Sequence, residues 1–332
     1  MTPPGFIDVH AHHYPSVYVE ACLGPGSPYS ASRLATGRIV VRDGDGIVLT
    51  IPTDLPDPVQ RLEEMTAAGI GVQLLSVPSP SVYGFPPAEA AALAREVNKE
   101  LVQYAERGGE RLRVLLTVPL PSPEAVVEEF EEWEGHPLVS GALICSHIRG
   151  LELDDPSLIP FWEYVEYHQP TILVHPTSPI CSDGYELNGL SIAAGFMHEQ
   201  SRSLARLCFS PVVQERPHAL DRLILSHLGG GIASLGERLD VYWARFIEPE
   251  DPQFPRPTET LRRPHFDLAL NSRPAMLAAI EAFGTEKLML GTDHPHMPYG
   301  MTGVIEQVQG LSLAPDVLLS LLRGNAERLL SG

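Results

Sequence analysis

Lysine is almost missing from this 332-residue chain: only Lys99 and Lys287 occur among 23 basic residues, against 42 acidic ones. The net charge of −19 leaves no basic face, which argues against nucleic acid or an anionic membrane surface as partner. Cysteine is scarce too. Cys22, Cys145, Cys181 and Cys208 lie far apart and make neither a CxxC pair nor a disulfide framework, as expected of a reduced, cytoplasmic setting. No apolar run is long enough to cross a bilayer, and the N-terminus lacks the basic start and apolar stretch of a signal peptide, so a soluble intracellular protein is expected. No Gly-rich turn follows the first apolar run, which disfavours the nucleotide-binding form of a doubly wound sheet.

What the chain does have is a regular alternation. Short β-rich runs at 6–12, 72–77, 114–120, 142–145, 171–175, 223–228, 266–270 and 288–293 are separated by stretches of helical periodicity. Helices are expected at 59–68, 87–106, 123–133, 157–168, 205–214, 234–245 and 274–283, with a closing helix at 315–330. Eight strands each followed by a helix predict an α/β fold, a (β/α)8 TIM barrel, spanning residues 1–332 as one domain.

The interval 13–57 is too long for an ordinary loop between strand and helix. Its two β-rich runs, 38–42 and 47–51, flank Asp43-Gly44-Asp45-Gly46 and read as a β-hairpin insertion after strand one, near the barrel mouth. A proline-rich stretch, 248–263, reads as a rigid surface crossing.

In such a barrel chemistry belongs at the C-terminal ends of strands. His10 and His12 end the first run, two apart and so on one face. His175 ends the fifth, His227 the sixth and Asp293 the eighth. Any one of these alone reads as a core or capping residue; imidazoles from three strands with a carboxylate from a fourth read as a metal site. His294 and His296 flank Asp293 as neighbours outside the ligand set, and His13 falls on the face opposite His12. Tyr83 and Phe85, after strand two, read equally as an aromatic wall of the site or as loop packing.

This constellation resembles the amidohydrolase superfamily, and the likeness runs end to end. Within it the chain looks most like the branch of aminocarboxymuconate-semialdehyde decarboxylase and related nonoxidative decarboxylases. The stretches that carry the likeness are Asp57-Pro58 leading to Arg61-Leu62-Glu63-Glu64-Met65, then His227-Leu228-Gly229-Gly230-Gly231, Gly291-Thr292-Asp293-His294-Pro295, and Gly324-Asn325-Ala326.

The resemblance implies that His10, His12, His175 and Asp293 are metal ligands, that His227 is the catalytic histidine beside a metal-bound water, and that Asp293 belongs to the catalytic set as well. Strand four, Gly141 to Cys145, has no lysine to bridge a second ion, so one divalent metal is expected, zinc by preference with manganese as alternative. The implied reaction is decarboxylation of a small aromatic or conjugated dienoic carboxylic acid, with a hydrolase or hydratase using the same site as the alternative and a non-catalytic barrel as the remainder. Arg238 and Arg245 fall near positions where the branch has substrate-binding arginines, and a homodimer is implied. In one respect the chain departs from the branch: the arginine that precedes the Asp-Pro pair has no counterpart near Pro52-Thr53-Asp54.

Overall fold

The computed structural model describes residues 4–331 apart from 45, 182, 188, 270 and 271. The expected positions Asp45, in the hairpin turn, and Leu270, at the end of strand seven, therefore lie outside the described residues.

The strands in chain order are β1 (Phe6–His12), β2 (Ser30–Arg33), β3 (Ile39–Asp43), β4 (Gly46–Ile51), β5 (Ile70–Ser76), β6 (Leu112–Thr117), β7 (Val139–Cys145), β8 (His147–Ile148), β9 (Leu151–Glu152), β10 (Thr171–His175), β11 (Leu223–Leu225), β12 (His265–Asp267) and β13 (Leu288–Met289). Eight of them form one parallel sheet in the order β1-β5-β6-β7-β10-β11-β12-β13. The sheet closes on itself. Val9 N–H donates to Leu290 O at 3.0 Å and His12 N–H to His294 O at 2.7 Å, joining the tail of the last strand to the first. This is the TIM barrel expected from the alternation of patterns.

Ile7, Val9, Val72, Leu74, Leu115, Leu143, Leu173, Ile224 and Met289 fill the barrel interior, with Ala326 and Leu329 of the C-terminal helix packed against them. The alternate strand residues, such as Leu75, Val114, Ile144, Val174 and Phe266, pack outward on the surrounding helices. Strands buried on both faces explain why the runs are continuously apolar rather than alternating.

Local chemistry sets the helix boundaries. The Asp57 carboxylate accepts from Val59 N–H and Gln60 N–H while Gln60 Oε1 accepts from Asp57 N–H, a capping box with Pro58 in the first turn, so the helix Pro58–Ala67 starts there. Pro87–Glu106 forms a helix as its Val97/Leu101 stripe predicts. The expectation of a helix at 205–214 needs correction: the helix is Phe196–Leu207, followed by a break and the short Pro211–Glu215, whose proline cannot continue a preceding helix. The tail forms the expected closing helix without interruption, its middle turn, Ser320–Gly324, being wider than an α-turn.

The insertion holds more than a hairpin. β2, β3 and β4 make a three-stranded antiparallel sheet, and the helix Ser16–Leu23 precedes it. Tyr14, Tyr18, Tyr29, Val41 and Leu49 give it a core of its own, sealed against Val77 and Val97 of the barrel. β2 reads Ser-Ala-Ser-Arg and is exposed at every position, which is why its pattern carried no strand signal.

Candidate metal centre and active site

Several of the expected strands stop early, and at two of them the site is the reason. β11 ends at Leu225 and β13 at Met289, short of 228 and 293. His227 and Asp293 take positive φ values of 51° and 54°, a conformation no extended strand accommodates. Leu228, Gly229, Gly230 and Gly231 continue the left-handed run after His227. At Gly230 a Cβ would overlap the Met197 carbonyl oxygen, so the glycine is needed both for its φ and for the close approach of the helix Phe196–Leu207. The strained turn aims the His227 ring back over the barrel mouth.

β1 has its own irregularity. Asp8 lies opposite Gln73 but Ala11 opposite Leu75, one residue out of step. This bulge leaves Val9 in the interior core while Ala11 packs outward, and His10 and His12 converge on the mouth. Their Nε2 atoms stand 3.0 Å apart. His12 Nε2 lies 3.2 Å from Asp293 Oδ1, and His10 Nε2 3.5 Å from the same oxygen. Ligand atoms of His10, His175, His227 and Asp293 all fall within 4.8 Å of one another, and those of His12, Asp293 and His296 form an overlapping group.

All five expected residues are thus brought together, and proximity alone does not divide His227 from the other imidazoles. Three or four nitrogens meeting around a buried carboxylate oxygen that has no hydrogen-bond partner make a fitting nest for a divalent cation. Desolvation would raise the Asp293 pKa, but the surrounding imidazoles hold it well below the carboxylate range, so it is an anion. Burial, with the charges of His12, His10 and His227 adding to it, drives His175 well below the usual imidazole value and keeps it neutral, the form a metal requires.

The partners that aim these rings were not legible as site residues. His10 Nδ1–H donates to Asp267 Oδ2 at 2.6 Å, and Asp267 Oδ1 accepts from His227 N–H at 2.8 Å and Ala269 N–H at 3.0 Å. Burial opposes a charge on the His10 ring, yet the Asp267 carboxylate carries its pKa up to about 9. Asp8, whose carboxyl burial raises to about 6, accepts from Thr292 Oγ1 at 2.6 Å and from Gln73 Nε2 at 2.7 Å. Arg61 is fully buried and donates to His12 O at 2.8 Å, so it supports the ligand strand from behind. Asn325 Nδ2 donates to Leu288 O at 2.6 Å and ties the last helix to β13. The available signal for Asp267 was an acid inside the seventh apolar run, 266–270; the structure ends that strand at Asp267.

Above the cluster lies a cavity of about 430 Å³. His175, His227, Asp293 and His296 share it with Ile192, Phe196, Met197 and Met297, and Arg38, Val48, Leu49 and Thr50 of the insertion also line it. His296 is closer to the chemistry than its flanking position implied: its Nε2 meets Tyr14 Oη at 2.6 Å, and its ring stands edge-on to His12 at 5.6 Å. His13, by contrast, stacks on Tyr104 with ring centroids 3.8 Å apart, away from the ligands. Tyr83 and Phe85 do not line this cavity; its aromatic wall is Phe196, which no motif or periodicity singles out. Cys145 is a buried free thiol at the end of β7. Arg238 and Arg245 are exposed on the helix Gly236–Phe246, over the rings of Tyr242 and Phe246, and neither lines the cavity of its own chain.

The amidohydrolase family model matches residues 7–332. The 2-amino-3-carboxymuconate-6-semialdehyde decarboxylase of Dictyostelium discoideum is 25% identical over 87% of this chain and 81% of its own. The gamma-resorcylate decarboxylase of a Rhizobium species is 27% identical over 71% of this chain and 76% of its own. Among solved structures, the dihydroxybenzoic acid decarboxylase of a Polaromonas species, with bound manganese and the inhibitor 2-nitroresorcinol, superposes with a TM-score of 0.79 at 21% identity, over 99% of this chain and 97% of that one.

Proposed function

The chain belongs to the amidohydrolase family, and from that premise we propose that it is a metal-dependent nonoxidative decarboxylase, a carboxy-lyase for a small aromatic or conjugated dienoic carboxylic acid. The observation that carries this reading is the convergence of four imidazoles and the Asp293 carboxylate on the floor of a cavity with apolar walls. The two curated relatives bear the names of decarboxylases of a dienoic and an aromatic acid, which supports the same class.

His10, His12, His175 and Asp293 would hold one divalent ion, zinc by preference, since a mixed imidazole and carboxylate set suits zinc or manganese. When bound, such an ion supplies positive charge that polarises a substrate oxygen and acidifies water.

The protein's own groups do the rest. Val48, Leu49, Phe196 and Met297 exclude water from around the acid, which destabilises a carboxylate relative to neutral carbon dioxide. His227 first takes a proton from solvent; the carbon–carbon bond then breaks with its electron pair left on the substrate carbon as carbon dioxide leaves, and the ring gives that proton to the carbon. Burial depresses the His227 pKa, so the ring is neutral at rest and a proton it picks up is readily given away. Asp267 fixes the turn that presents that ring.

The reading also includes a cytoplasmic location and a homodimer. Exposed Val241 and Phe246 beside Arg238 and Arg245 support a subunit contact on the helix Gly236–Phe246, and it is across such a contact that these arginines would serve a substrate.

Carbon dioxide release is the deciding measurement. Zinc- or manganese-loaded protein offered hydroxybenzoates and dienoic acids is expected to liberate one equivalent per turnover. Hydrated or hydrolysed products without carbon dioxide would instead establish a hydrolase or hydratase on the same site.

A further inference from the structure

Two imidazoles outside the proposed ligand set line the cavity, His227 and His296, and they stand beside different ligands. The His227 ring lies against His10 and His175, with centroids 5.0 and 5.6 Å away. The His296 ring lies against His12 instead, 5.6 Å between centroids. The proton that the substrate carbon takes up belongs to His227, which leaves His296 on the cavity wall without a part in the reaction.

The insertion holds that ring. His296 Nε2 lies 2.6 Å from Tyr14 Oη. The backbone is fixed at both ends of the contact: His13 N–H donates to Ser76 O at 3.0 Å immediately before Tyr14, and His296 N–H donates to Asp293 O at 2.8 Å. Tyr14 also belongs to the core of the insertion and is only 3% exposed. Burial decides the direction of the bond. Among the described residues His296 Nε2 is the one hydrogen-bond partner of the Tyr14 hydroxyl, so a phenol that accepted from Nε2–H would leave its own hydrogen buried and unpaired. Tyr14 Oη–H therefore donates to Nε2, and the proton of the ring is on Nδ1. Nδ1 makes no hydrogen bond with any described residue and, unlike Asp293 Oδ1, it is not sealed from open space, so the ring presents this N–H to the cavity it lines. A donor fixed in place on the wall of a mostly apolar cavity is how such sites orient an occupant.

We propose that His296 is a substrate-binding residue, its Nδ1–H donating to an oxygen of the bound acid, and that Tyr14 is the positioning residue that holds the ring in the tautomer able to do so. This rests on the reading of the cavity as the site of a carboxylic acid, and it gives the insertion a task in binding.

The probe is 2-hydroxybenzoate, titrated calorimetrically into zinc-loaded protein, and side-chain amides tell the two ring nitrogens apart. The amide nitrogen of asparagine stands near the place of Nδ1, that of glutamine near the place of Nε2. His296→Phe is expected to bind at least about tenfold more weakly than the parent, His296→Gln as weakly as His296→Phe, and His296→Asn within about threefold of the parent, the range of one hydrogen bond to a charged acceptor. All three are expected to keep the zinc content of the parent, which also verifies that the site is folded. Tyr14→Phe removes one hydroxyl, and its signature is spectroscopic. In nitrogen NMR spectra of zinc-loaded protein labelled at its histidines, with the His296 signals assigned by their absence from His296→Phe, Nδ1 carries the proton in the parent and the two nitrogens share it in Tyr14→Phe. A tyrosine that served only packing would leave the tautomer as it was.

No binding by the parent, unchanged binding in His296→Phe, recovery by glutamine rather than asparagine, loss of zinc from a His296 variant, or a tautomer indifferent to Tyr14 would each overturn the proposal. Carbon dioxide measured on the same samples keeps the two readings apart: binding that depends on His296 without release counts against the decarboxylase, and release from a site whose binding is indifferent to His296 counts against this role alone.

Discussion

Asp267 holds His10 by its ring, 2.6 Å from Nδ1, and with its other oxygen grips the backbone N–H of His227 at 2.8 Å. One buried carboxylate at the end of the seventh strand therefore orients a ligand imidazole and pins the left-handed turn that presents another. A charged acceptor behind a ligating histidine fixes its tautomer and raises its basicity.

Asp267→Asn is expected to fold and to bind metal roughly 10–100-fold more weakly, the usual cost of losing such a partner. Competition against a chelator of known affinity measures this. An unchanged affinity would mean that the barrel walls alone orient His10.

The division of labour between His175 and His227 is open to a direct comparison. His175→Ala is expected to be isolated without metal, whereas His227→Ala should keep about one ion per chain while turnover falls by at least about 10²-fold. Metal analysis of the two variants side by side decides it, since both rings belong to one cluster. Equal metal loss would make His227 a ligand.

Gly141 on β7 has a φ of +149°, and a Cβ there would overlap the Thr171 carbonyl on the neighbouring strand. Gly141→Ala is expected to destabilise the barrel by about 3 kcal/mol or more, since neither backbone can yield without breaking the ladder. Chemical denaturation reads the loss; a variant within 1 kcal/mol of the parent would show that the strand can shift.

Acid should weaken the fold through His265. Burial, reinforced by Lys287, lowers its pKa from 6.5 to about 4, so the unfolded chain binds a proton that the folded chain refuses over that interval. Its contribution is intact above about pH 6.5 and lost as pH falls toward 4, on the order of 3 kcal/mol. His265→Gln is expected to flatten the stability–pH curve in that window, and an identical slope in both proteins would dismiss the effect.

Much of this was legible in the sequence for physical reasons. Strands buried on both faces must be apolar throughout, so eight runs announced eight barrel strands, and His10, His12, His175, His227 and Asp293 stood out as polar breaks at their ends. The edge strand β2 was invisible because an exposed strand needs no apolar pattern. The helix Phe196–Leu207 was missed because its start lies in a Gly- and Ser-containing stretch without a cap signal; its N-terminal residue makes no side-chain cap. Asp267 gave only its position, since a carboxylate that aims another side chain reads in sequence like any other buried acid.

The barrel, the strand-end histidines and the family likeness are written in the chain, because periodicity and residue type are local properties. Folding in three dimensions is what brings His296 into the cluster, puts Arg38 rather than Arg238 or Arg245 in the lining of its own chain's cavity, and couples His10 to His227 through Asp267. Those relations depend on where a bulge, a left-handed turn and a distant insertion place atoms far apart in the chain, and no spacing along the chain encodes such distances.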